Sequence, residues 1–156
     1  MAFKKFSVKQ PVNILLADDD PDDQSITLEA FRESELPNHF YAVENGQELL
    51  DFLRHKGCYK NVKKSPRPSL LLLDINMPKM TGLEALQEIK QDDQLRTIPI
   101  IILTTSIADE DIIRSYNLGV NSYIKKPVNF EDLLEAVIKI NTYWFDLVSL
   151  PPGAEN

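Results

Sequence analysis

The amino-acid sequence predicts an α/β domain: a doubly wound parallel sheet with helices on both faces. Two observations carry this prediction. Short apolar runs recur without internal alternation, which is the pattern of parallel strands buried on both faces. Each run is followed by a segment whose apolar residues repeat at helical spacing, and the alternation occurs five times. The chain has 156 residues, of which 43% are apolar and 26% charged, the size and balance of one soluble globular domain.

Taken in order, the first strand is VNILLA (12–17). Pro21 then opens a helix over 22–34, with Asp20 suited to its N-cap and Asp22 and Asp23 near the positive end of its dipole. HFYAV (39–43) is a weaker strand. The helix at 46–56 carries Leu49, Leu50, Phe52 and Leu53 on one side. SLLLLD (69–74) is the third strand, and the next helix, 81–91, aligns Leu83, Leu86 and Ile89. IPIIILTT (98–105) is the fourth strand, and its helix over 109–119 stops at Gly119. SYIKK (122–126) is a weak fifth strand. Asn129 caps a last helix drawn over 129–147.

Bulk properties exclude several function classes. The formal charge of −7 argues against binding nucleic acid through phosphate neutralisation. Cys58 is the only cysteine, so an internal disulfide and a cysteine-based zinc cluster are excluded. No stretch has the length of a membrane span, and the lysines of MAFKKFSVKQP precede no apolar signal region. The expected location is the cytoplasm, without membrane or nucleic-acid partners.

In a parallel α/β sheet, functional groups gather at the carboxyl edge of the strands, near the switch in strand order. The first strand ends in Asp18, Asp19 and Asp20, and the third in Asp74. The fourth ends in Thr104, Thr105 and Ser106, and the fifth in Lys125 and Lys126 before Pro127. Converging carboxylates call for a hard divalent cation, magnesium, manganese or calcium rather than zinc, with Mg2+ expected and Mn2+ an alternative. A carboxylate beside such a cation can act as nucleophile toward a phosphoryl group. Lys126 and Thr104 supply the positive charge and hydroxyl that its oxygens require.

LLADDDPDD, LLLLDINMPKMTG, IIILTTS and YIKKP, in this order and spacing, resemble the four signature segments of the bacterial response-regulator receiver domain. The resemblance implies a flavodoxin-like five-stranded sheet of order 2-1-3-4-5 with five helices. It implies that Asp74 is the phosphoacceptor and that Asp18 and Asp19 are the acidic pair, with Asp19 the direct metal ligand. Asn76 falls where the family offers a backbone carbonyl to the metal. Thr104 and Lys126 match the phosphoryl-contacting residues and Tyr123 the aromatic switch, while Lys126–Pro127 is expected to be a cis peptide. Asn76 and Ser106 hold two positions that influence phosphoryl lifetime in the family. The implied partners are a sensor histidine kinase and a downstream protein or histidine phosphotransfer protein. The implied activity is signalling rather than turnover, with at most slow self-catalysed phosphorylation and dephosphorylation.

On this reading residues 1–11 are an N-terminal extension, 12–142 the receiver domain and 143–156 an apolar C-terminal tail too short for an output domain. Trp144, Phe145 and Val148 of that tail are candidates for a homodimer or partner contact. The tail and the basic loop 54–68, with its six Lys or Arg residues, resemble receivers that work with phytochrome-type kinases. The loop itself reads as a solvated, flexible insertion rather than a contact surface, and His39, His55 and Cys58 receive no role. The rival reading is a Mg2+-dependent phosphatase of the haloacid-dehalogenase type using Asp18 and Asp20 as an Asp-x-Asp pair, but it leaves Asp74 and NMPKMTG unexplained. A receiver serving only as an unphosphorylated scaffold is a third reading, which the full residue set argues against.

Overall fold

The computed structural model describes residues 12–34, 38–147 and 149–151. Five strands form one parallel sheet: β1 (Val12–Ala17), β2 (Asn38–Val43), β3 (Leu70–Leu73), β4 (Ile100–Thr104) and β5 (Ser122–Lys125). Their spatial order is β2-β1-β3-β4-β5, so the order reverses between β1 and β3. Five helices connect and follow them: α1 (Pro21–Glu33), α2 (Gly46–Arg54), α3 (Gly82–Gln91), α4 (Asp109–Asn117) and α5 (Phe130–Thr142). This is the doubly wound fold and strand order expected from the sequence.

Side-chain alternation along each strand divides the core in two. Ile14 and Leu16 of β1, Leu70 and Leu72 of β3, and Ile101 of β4 face α1 and α5, where they meet Phe31, Leu133, Val137 and Ile140. Leu15, Leu71, Leu73, Ile100 and Ile102 face the opposite way, against Leu49, Leu50, Leu83, Leu86 and Ile89 of α2 and α3. All residues of β3 and β4 are buried, which is why those runs show no polar alternation in the sequence.

Helix starts follow local chemistry. Asp20 caps α1 by accepting from the Asp22 and Asp23 N–H groups, with Pro21 in the first turn. Thr81 and Glu84 form a reciprocal capping box at α3, and Asn129 caps α5 through the Asp132 N–H. Gly119, at φ +96°, follows α4 in a left-handed conformation that glycine adopts without steric cost.

The last helix is shorter than the 129–147 drawn from periodicity. α5 ends at Thr142, and a π-helical turn spans Tyr143–Leu147. Trp144 and Phe145 are half-buried against the α1–α5 core, so part of the apolar tail folds back on its own domain. Val148 and the extension 1–11 lie outside the described residues.

The basic loop carries exposed lysines on a segment that makes several contacts with the domain. Its backbone makes a short 3₁₀ turn at Gly57–Tyr59. The buried Ser65 hydroxyl lies 3.0 Å from both the Tyr59 and Asn61 carbonyls. Tyr59 packs its ring on Phe52 and donates to Glu48 at 2.6 Å. Arg67 donates to the Gln94 carbonyl and to Thr97. Lys56, Lys60, Lys63 and Lys64 remain exposed, so the charges are solvated while the chain that carries them is pinned.

Candidate functional site

Parallel register brings the candidate side chains to one edge. Ala17 pairs with Leu73, Leu73 with Ile102, and Thr104 with Lys125. Beyond the ladders, Asp18 N–H donates to Val43, Asp74 N–H to Ala17, and Lys126 N–H to Thr104. Asp18, Asp74, Thr104 and Lys126 therefore start from backbone positions fixed by strand pairing.

Asp74 is buried, and both of its oxygens are engaged. Oδ1 accepts from the Thr104 hydroxyl at 2.6 Å and from the Asn76 N–H at 3.3 Å, while Oδ2 accepts from Lys126 Nζ at 3.3 Å. Asp18 Oδ1 accepts the Asp20 N–H at 3.0 Å, and Oδ2 accepts Lys126 Nζ at 2.7 Å. Asp19 is exposed. Oxygens of Asp18, Asp19 and Asp74 lie within 4.8 Å of one another. An all-oxygen group of this kind suits a hard divalent cation rather than zinc, so the donor set fits the metal expected from the sequence.

Electrostatics at the site point the same way. Burial pushes the Asp18 carboxyl above its ordinary 3.8, although Lys126 works against that rise. Burial also disfavours the Lys126 ammonium, but hydrogen bonds to Asp18 and Asp23 and the charge of Asp74 outweigh it and raise its pKa. Asp18, Asp23 and Asp74 share the one Lys126 ammonium, and this excess of negative charge is the condition under which a cation binds.

Two expectations change, for the Lys126–Pro127 peptide and for Asp23, and the switch residues take defined positions. The Lys126–Pro127 peptide is trans, not cis. The isomers differ by only about 0.5–1 kcal/mol before proline, and the trans chain already brings Lys126 Nζ to the carboxylates. Thr104 is turned toward Asp74 while Asp74 is a plain carboxylate, and the half-buried Tyr123 donates to the Ser106 carbonyl at 3.0 Å. Asp23, read only as a helix-start charge, accepts from Lys126 Nζ at 3.0 Å. The sequence holds no local signal for that contact, because it depends on how α1 sits against the β5–α5 turn.

The loop after Asp74 is equally constrained. Gly82 N–H donates to Ile75 at 2.8 Å, and a side-chain carbon at Gly82 would collide with the Asp74 carbonyl. Asp20 turns its carboxylate to the N–H groups at the start of α1 rather than to the carboxylate cluster, so Asp18 and Asp20 do not converge as an Asp-x-Asp pair.

Comparison with known proteins decides the family. Residues 14–138 match the model of the response regulator receiver domain. The chain belongs to that family. As a whole it is 40% identical over 141 residues to the response regulator Rcp1 of Synechocystis sp., an alignment covering 90% of this chain and 94% of Rcp1. The phosphorylated cyanobacterial phytochrome response regulator RcpA superposes with a TM-score of 0.85 at 39% identity, covering 92% of this receiver and 100% of that chain. The Mn2+-bound form of Rcp1 superposes with a TM-score of 0.83 at 40% identity, covering 91% of this receiver and 100% of the Rcp1 chain. The haloacid-dehalogenase alternative finds no support. No helix among the described residues is long and apolar enough to cross a membrane.

Proposed function

We propose that this receiver accepts a phosphoryl group on Asp74 from a sensor histidine kinase and passes the signal on through altered protein contacts. The observation that carries the reading is the arrangement around Asp74: Thr104 at 2.6 Å, Lys126 at 3.3 Å, and Asp18 and Asp19 beside it. An Asp74 oxygen attacks phosphorus, the bond from phosphorus to the donor's nitrogen breaks, and that nitrogen leaves with the bonding pair. Lys126 neutralises the charge brought to the site, and the Thr104 hydroxyl turns from the carboxylate to a phosphoryl oxygen. Asp18, Asp19, Asp74 and the Asn76 carbonyl would hold Mg2+, with Mn2+ an alternative. The cation's contribution when bound is to offset negative charge and orient the phosphoryl oxygens.

The charge change acts on a two-position element. Tyr123 lies on β5 next to α4, and its backbone N–H donates to the Tyr116 hydroxyl at 3.2 Å. Movement of Thr104 and Tyr123 therefore alters the face formed by α4, β5 and α5, where Ile113 and Tyr116 are exposed. Coupling requires that a partner bind the two states differently. That partner is a downstream protein or a histidine phosphotransfer protein, and the protein works in the cytoplasm as a signalling switch rather than a turnover enzyme. By likeness to RcpA, the kinase is of the phytochrome type. We assign residues 12–142 to the receiver, with 1–11 and 143–156 as extensions. The apolar tail, through Trp144 and Phe145, offers a homodimer or partner contact; Trp144 lines a groove of about 720 Å³ with Ile101, Ile124 and Ile140.

Incubation with acetyl phosphate and Mg2+ tests the acceptor. The intact mass should gain one phosphoryl group, Asp74→Asn should gain none, and chelation of the cation should stop labelling. Equal labelling of Asp74→Asn would sink the assignment.

A further inference from the structure

Lys126 has three N–H donors, and three carboxylates take them. Asp18 stands at 2.7 Å, Asp23 at 3.0 Å and Asp74 at 3.3 Å from Nζ. The ammonium is thus held from the ends of β1 and β3 and from the first turn of α1. Two of these partners have other duties: Asp18 and Asp74 belong to the oxygen cluster that suits a cation, and Asp74 is the proposed acceptor. Asp23 lies outside that cluster, and its side chain is 35% exposed. Its carboxylate is the one of the three partners of Lys126 that the cation cluster does not include. Asp22, its neighbour in the same turn, is exposed.

We propose that Asp23 is a positioning residue for phosphoryl transfer, anchoring the Lys126 ammonium from α1 so that it stays beside Asp74 as the phosphoryl group arrives. Asp23 touches neither the cation cluster nor the reacting atoms and acts only through Lys126. The inference rests on the reading of Asp74 as acceptor.

Rates of labelling by acetyl phosphate, followed by intact mass at saturating Mg2+, test it. Asp23→Ala should label about fivefold more slowly than the wild type, the scale of coupling between contacting charged residues. Asp23→Asn keeps an acceptor oxygen and should recover part of the rate. Asp22→Ala, which removes a charge from the same helix start, should label like the wild type. In a Lys126→Ala background, Asp23→Ala should slow labelling no further. An unchanged or faster rate in Asp23→Ala overturns the proposal and leaves the acceptor reading intact, as does equal slowing with and without Lys126. Absence of labelling in the wild type overturns both. Urea unfolding of the same single and double variants without divalent cation supplies a cycle independent of labelling: non-zero coupling supports the anchor, and zero coupling overturns it.

Discussion

Asp18 is pulled two ways: burial and the nearby Asp74 charge favour its protonated form, while Lys126 favours its carboxylate, and its titration should expose the balance. Burial raises its pKa above 3.8, so the folded protein binds this proton more tightly than the unfolded chain. The stability this group contributes is therefore present below its unfolded pKa and is lost as pH rises through the higher folded value. In metal-free protein, urea unfolding across that window should show this loss, and Asp18→Asn should remove it. Identical pH profiles for the two proteins would contradict the account. Asp19 differs because it is exposed and leaves its oxygens to the cation cluster. Mg2+ at one hundred times its Kd should stabilise the wild type by about 2.7 kcal/mol. Asp19→Asn should lose most of that gain, and a full gain in the variant would remove Asp19 from the cation site. The role of each carboxylate is legible in the sequence only to the extent that strand ends reveal position. Asp18, Asp19 and Asp74 terminate apolar runs, whereas the Asp23 contact depends on the packing of α1.

The elements deliver these residues through backbone devices. The turn from β3 into α3 is closed by Gly82, whose lack of a side chain lets the chain pass against the Asp74 carbonyl. Gly82→Ala should cost about 1–3 kcal/mol, the range of overpacked sites, measured by chemical unfolding. A cost near zero would mean that the turn can move aside. Strands β1, β3 and β4 are readable in the sequence because double-sided burial leaves a continuous apolar signature. The end of α5 is not: apolar residues continue at helical spacing through Trp144 and Phe145, while the backbone changes to a π-turn there. Periodicity reports which side is buried and carries no information on the hydrogen-bond register within a turn. The 54–68 loop has exposed lysines as expected, together with contacts that the sequence does not announce. Its lysines dominate the composition, but Ser65, Tyr59 and Arg67 pin it through contacts that composition does not encode.

At the scale of the whole molecule, the parallel sheet places Asp18, Asp74, Thr104 and Lys126, up to 108 positions apart, at one edge. It surrounds a single ammonium with the carboxylates of Asp18, Asp23 and Asp74. That imbalance makes the edge cation-seeking. It is tolerable because the carboxylates sit at the rim of two apolar cores rather than within them. The alternation of strands with helices and the carboxyl-edge rule make this assembly legible in the sequence, whereas the Asp23 contact depends on how α1 and the β5–α5 turn pack in three dimensions. Whether the phosphoryl group resides on Asp74 is decided by mapping it. Protein labelled with acetyl phosphate is reduced with borohydride, which converts an aspartyl phosphate to homoserine, and the peptides are then sequenced by mass spectrometry. Homoserine should appear at position 74 and at no other aspartate. Homoserine at Asp18, Asp19 or Asp23, or phosphate retained as an ester on a hydroxyl, would contradict the account.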